Sequence, residues 1–90
     1  MVCSAVHIII YGKVQGVSFR ASTQNKALEL SIKGWVRNLR NDAVEVHAEG
    51  NRENLDKFIN WCQKGPLLAE VSTCDLNWII PEEINNFKIL

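Results

Sequence analysis

The stretch Gly12-Lys13-Val14-Gln15-Gly16-Val17-Ser18-Phe19-Arg20 follows an apolar run, Val6 to Tyr11, and opens into a helix-like run, Ala21 to Leu30. A glycine-bearing loop between a strand and a helix start is suited to holding an anion. The first N–H groups of a helix lack intrahelical partners, and the helix dipole places partial positive charge there. Loop N–H groups can add a concave nest, and Gly16 leaves that backbone free to curl. Arg20 supplies a permanent planar charge whose fork matches two oxygens of a phosphate or carboxylate. The candidate binding residues are therefore Gln15, Gly16, Val17, Ser18, Phe19 and Arg20. The loop is neither a Walker loop, which ends in Gly-Lys-Ser/Thr, nor Gly-x-Gly-x-x-Gly. As chemistry alone, two glycines and one arginine also fit a plain turn with an exposed arginine.

The elements that must position this loop follow from periodicity. Val6 to Tyr11 is β-branched and apolar on both faces, as in a central strand. Phe19, Thr23, Ala27 and Leu30 recur at near-helical spacing, with Asn25, Lys26 and Glu29 turned outward. Gly34 to Arg40 is strand-like, placing Val36 and Asn38 on one face and Trp35, Arg37 and Leu39 on the other. A two-residue turn at Asn41-Asp42 leads into Ala43 to Glu49. That run alternates and predicts one buried and one wet face, the wet one carrying Glu45 and Glu49. Asn51 caps a second amphipathic helix with Leu55, Phe58, Ile59 and Cys62 inward, stopped by Gly65-Pro66. Val71 to Ile80 is a further strand whose apolar positions fall out of phase, as at a bulge or an irregular edge. Phe87-x-Ile89 suits a short final strand.

Strand, helix, strand, strand, helix, strand is a pair of split βαβ units. The expected fold is a ferredoxin-like α/β sandwich of the α+β class, an antiparallel sheet with two helices on one face. No repeat or linker interrupts residues 1–90, which read as one domain. In that topology the first and second strands run parallel with the third between them. Their C-terminal ends emerge at one edge, so the Arg20 loop and Asn38 meet there.

Gly12-x-Val14-Gln15-Gly16-Val17-x-Phe19-Arg20, with Gly34-Trp35-Val36-Arg37-Asn38 and Val44-Glu45-Val46, resembles the acylphosphatase family. Thr23-Gln24, Ala27, Trp61, Gly65-Pro66, Ala69-x-Val71 and Phe87-x-Ile89 extend the resemblance over nearly the whole chain. It implies this same fold and metal-free, cofactor-free hydrolysis of a small acyl phosphate to a carboxylate and inorganic phosphate. It also implies that Arg20 and Asn38 are the catalytic residues. The sequence departs from the family pattern at the hairpin turn, commonly Asp-Gly, at Leu30-Ser31-Ile32, and at the closing Leu90.

Residue chemistry is consistent with that implication. An acyl phosphate leaves as a carboxylate, which needs no strong general acid. Phosphoryl transfer asks the protein mainly to position groups and stabilise charge. A guanidinium with loop N–H groups can hold the phosphoryl oxygens, and a carboxamide can orient water. The base that takes the water's proton is left open.

Composition sets the remaining bounds. The hydrophobic share is 47% and the charged share 22%, and ten basic residues balance ten acidic ones. That neutrality does not favour nucleic acid or an anionic membrane as partner. No apolar run approaches membrane-spanning length, and no secretory leader is evident. Cys3, Cys62 and Cys74 lack Cys-x-x-Cys spacing, and His7 and His47 stand apart from them, so no metal site is expected. A monomer in a reducing cytoplasm fits best, its cradle open to inorganic phosphate or sulfate, although a disulfide between two cysteines stays open. The alternative is a non-catalytic phosphate- or anion-binding module of the same fold. An RNA-binding sheet using Tyr11 and Trp35 is disfavoured, because the RNP-type aromatic pattern is absent. Arg37, Arg40 and Lys13 read as surface charges, and Trp35, Trp61 and Trp78 as packing residues.

Overall fold

The computed structural model describes residues 3–90. Seven elements follow in order: β1 (Ser4–Lys13), α1 (Phe19–Glu29), β2 (Lys33–Asn38), β3 (Val44–Gly50), α2 (Arg52–Cys62), β4 (Glu70–Ile79) and β5 (Phe87–Ile89). The sheet order is β4-β1-β3-β2-β5. β1 pairs antiparallel with β3 and β4, and β2 antiparallel with β3. β5 joins β2 in parallel, so the sheet is mixed rather than wholly antiparallel. Among the described residues no helix is long and apolar enough to cross a membrane.

The two helices share one apolar layer with one face of the sheet. Period-two alternation sends Val6, Ile8 and Ile10 of β1 and Val44, Val46 and Ala48 of β3 to the same side. Phe19, Thr23 and Ala27 of α1 and Leu55, Phe58 and Cys62 of α2 close onto them. Phe58 meets Phe87 edge-on at 6.3 Å between centroids. Burying one such side chain stabilises the fold by about 1.5–3 kcal/mol. Thr23, the polar member of the layer, is satisfied by donating to the Phe19 carbonyl at 2.7 Å. All three cysteines are free.

Three local features decide how the site is presented. At the edge, β4 carries the irregularity that its sequence implied: Tyr11 faces Thr73 while Gly12 faces Val71, leaving Ser72 as the extra residue. Gly12 has φ of 127°, and a Cβ there would collide with the Glu70 carbonyl and the Ser72 nitrogen. Only glycine fits here, where β1 passes the bulge of β4 just before the cradle. At the other end of the site, the hairpin turn differs from expectation. Leu39 N–H donates to the Ala43 carbonyl at 2.8 Å, so Arg40, Asn41 and Asp42 form a three-residue loop. Asp42 alone takes the left-handed conformation, φ 70°, while the Asn41 side chain accepts from Ala43 N–H at 3.2 Å. Such a loop places its positive φ at the last residue, which is why Asn41 is not left-handed.

The third feature also corrects the sequence reading. The second face of β3 is not wet: His47 and Glu49 are each only 2% exposed. Glu49 is hydrogen-bonded to residues 82 and 84 of the segment between β4 and β5. Its carboxylate accepts from Glu82 N–H at 2.6 Å, Ile84 N–H at 3.1 Å and His47 Nε2 at 2.7 Å. An ionised carboxylate only accepts, so the His47 ring nitrogen must be the donor. Burial by itself works to raise the Glu49 pKa. The hydrogen bonds from Glu82 N–H, His47 and Ile84 N–H outweigh it and hold the group below the ordinary carboxylate value. A pKa depressed by folding contributes stability above the unfolded-state value and loses it as pH falls through the folded-state value. Urea unfolding followed from neutral into acid pH is expected to show that loss. Glu49→Gln should flatten it and lower neutral-pH stability by about 1–3 kcal/mol.

Candidate active site

The register brings the two ends together. Ile10 of β1 and Asn38 of β2 both face Val44 of β3, so the exits of β1 and β2 lie side by side. Asn38 follows Val36 by two residues and shares its face, the one covered by the helices. A concavity of about 360 Å³ opens at this rim. Its lining is Val14, Gly16, Ser18, Phe19, Arg20, Ala21, Asn38 and Ile89, with Arg20 the one charged side chain among them.

The start of α1 lacks the features that usually settle a helix end. Ser18, at its N-cap, is left-handed with φ 62° and makes no side-chain cap bond, and no acidic residue stands in the first turn. Arg20 adds a cation where the dipole is already positive. The start of α2 shows the ordinary solution in the same molecule. Asn51 caps it by accepting from Asn54 N–H at 2.8 Å, and Glu53 sits in the first turn. The α1 end therefore keeps exposed donors and uncompensated positive potential facing the concavity. Gly16, φ 75°, and Ser18 are both left-handed with Val17 between them, a backbone alternation of the kind that gathers N–H groups into a nest. A left-handed serine costs roughly 1–2 kcal/mol of backbone strain.

The remaining loop residues divide by where their side chains go. Gln15 donates from Nε2 to the Leu39 and Ala43 carbonyls at 2.8 and 2.9 Å. Both of its amide hydrogens are thus spent on the hairpin, and they lash the cradle to the strand pair that carries Asn38. Val17 packs into the core and Phe19 is buried against Trp61, centroids 5.6 Å apart. Val17 can reach an anion only through its backbone. Arg37 lies on the opposite face, paired with Glu45 and over the Trp35 ring at 5.4 Å. His7 finds a partner the sequence did not reveal, Glu45 at 2.7 Å across the strands. Burial works to raise the Glu45 pKa, and His7 and Arg37 together bring it below the ordinary value.

Three lining residues were not singled out from the sequence: Val14, Ala21 and Ile89. For Ile89 a signal existed. Once β5 lies parallel to β2 with Ile89 opposite Val36, its side chain falls on the face that Val36 shares with Asn38. Trp35 is committed to a stack on His47, 5.7 Å between centroids, so it is not an open platform for a base. Among the described residues no cluster of three or more His, Cys, Asp or Glu could hold a metal.

Two split βαβ units that deliver a cationic, uncapped helix start and a carboxamide to one rim define a ferredoxin-like α+β protein with an anion-holding edge. Known proteins share this fold and much of this sequence. The sequence pattern of the acylphosphatase family matches residues 6–89, and the chain belongs to that family. An acylphosphatase of Thermococcus kodakarensis is 43% identical over 84 residues, 93% of this chain and 92% of the relative. One of Acaryochloris marina is 49% identical over 82 residues, 91% of this chain and 88% of the relative. The structure of an acylphosphatase from Coxiella burnetii superposes with a TM-score of 0.94 at 38% identity, covering 98% of this chain and 93% of that one.

Proposed function

We propose that the chain, acting as one domain, hydrolyses the carboxyl–phosphate bond of small acyl phosphates. Arg20 and the N–H groups from Gly16 to Arg20 hold the phosphoryl oxygens, and Asn38 holds the attacking water through its amide. The water oxygen bonds to phosphorus as the bond to the carboxylate oxygen breaks. The leaving group departs as a stable anion, and the water's protons stay with phosphate and solvent. In a loose transition state the charge sits on the equatorial oxygens, where the guanidinium fork and fixed N–H dipoles act without reorganising.

One observation carries this reading. The start of α1 combines a left-handed, uncapped Ser18 with an unneutralised Arg20, on a concavity that Asn38 also lines. Strain and repulsion of that kind are tolerated where an anionic ligand offsets them. The three free cysteines suit a reducing cytoplasm, and inorganic phosphate or sulfate is the expected resting occupant of a monomer.

Benzoyl phosphate hydrolysis in the presence of a chelator tests the proposal. The expected result is sustained release of inorganic phosphate, with label from heavy-oxygen water appearing in phosphate and not in benzoate. Phosphate binding without any turnover would instead favour the non-catalytic anion-binding module.

A further inference from the structure

The lining of the concavity divides by chemistry. Gly16, Ser18, Arg20 and Asn38 form its polar part, and Val14, Phe19, Ala21 and Ile89 its apolar part. Val14 and Phe19 are 1% and 2% exposed, and Ala21 carries only a methyl group. Ile89 is 41% exposed, which makes it the large apolar side chain a ligand can cover. It is held firmly for a residue near the end of the sequence. Ile89 pairs with Val36, Leu90 N–H donates to the Val36 carbonyl at 2.9 Å, and Gln24 Nε2 donates to the Phe87 carbonyl at 3.0 Å. The segment leading into β5 hangs on Glu49 and on a bond from Gly34 N–H to the Asn86 carbonyl at 2.8 Å.

Charge is as informative as shape. Arg20 is the one cation lining the concavity, and in the reading above it is taken up by the phosphoryl group. Lys88, next to Ile89, alternates to the other face of β5. A second anionic group on the acyl side would therefore meet Ile89 instead of a positive charge, and would lose hydration there without a partner.

We infer that Ile89 is a specificity-determining residue that contacts the acyl group, favouring apolar, uncharged acyl phosphates over those carrying a second carboxylate or phosphate. The inference rests on the phosphoryl-transfer reading above and adds the substrate class to it. Apolar contact at a half-open wall is worth roughly tenfold in kcat/KM between a large and a small acyl group.

The test compares kcat/KM for acetyl, benzoyl and succinyl phosphate at fixed ionic strength in the wild type, Ile89→Ala and Ile89→Lys. The wild type is expected to rank benzoyl above acetyl above succinyl. Ile89→Ala should cut the benzoyl-to-acetyl ratio by about 3- to 10-fold. Ile89→Lys should raise the succinyl-to-acetyl ratio about tenfold, an effect that added salt diminishes. A uniform change for all three substrates, or unchanged ratios in both variants, overturns this inference while leaving the hydrolytic reading intact. Absence of hydrolysis for every acyl phosphate in the wild type overturns both.

Discussion

Replacing Arg20 with alanine is expected to lower kcat/KM for benzoyl phosphate by ~10³-fold or more while leaving the folded protein as stable as before, or more so. The activity loss follows from removing the one charged side chain that lines the concavity. Arginines that stabilise a transferring phosphoryl group are worth ~10³ to 10⁵ in rate. The stability expectation runs against the usual direction for a substitution and is the more discriminating half. Arg20 stands in the first turn of α1, is exposed, and takes part in none of the ion pairs among the described residues. A cation at a helix N-terminus opposes the dipole, by about 0.3–1 kcal/mol. Without phosphate the alanine variant should therefore unfold at an equal or higher temperature. Inorganic phosphate should raise the melting temperature of the wild type by binding only the native state, and should do little for the variant. Arg20→Lys restores a point charge without the fork, so it should recover stability behaviour before it recovers rate. A variant that lost activity only in step with lost stability would mean that Arg20 is structural.

Much of this arrangement could be read from local sequence because the relevant signals are local. The apolar run Val6–Tyr11, the alternating run Ala43–Glu49 and the helical spacing of Phe19, Thr23 and Ala27 mark elements whose burial the structure matches on the helix-covered face. The meeting of Arg20 with Asn38 followed from strand direction once the element order was known. What escaped was set by partners distant in sequence. Glu49 looked like a member of a wet face. It is buried because residues 82 and 84, in a segment with no periodicity of its own, bond to it, while His47 beside it lies against the Trp35 ring. His7 looked isolated since its partner Glu45 lies across the sheet. The left-handed Ser18 and the three-residue loop at Arg40-Asn41-Asp42 are backbone choices. Serine does not advertise the first, and Asn-Asp suits a two-residue turn as readily as the second. Ile89 was visible as a strand residue, but its place in the concavity required knowing that β5 lies parallel to β2.

Asn38→Ala should separate chemistry from binding. The Asn38 side chain is exposed at the end of β2, on the face it shares with Val36, and carries no charge to offer a dianion. If it holds the water, its removal leaves the cradle of Gly16, Ser18 and Arg20 untouched. Inorganic phosphate should then protect the variant against thermal unfolding about as well as it protects the wild type. The substrate KM should move little, and kcat should fall by ~10²–10³-fold, as when one positioned donor is deleted from a transition state. Asn38→Asp is the sharper companion. It keeps the size of the side chain but sets a negative charge beside the phosphoryl group, so phosphate protection should weaken along with turnover, most strongly at low salt. The two variants would then differ in binding while agreeing in lost rate, a split that a purely structural asparagine would not produce. Equal loss of phosphate binding in Asn38→Ala and Arg20→Ala would assign both residues to the phosphate and leave the water unheld.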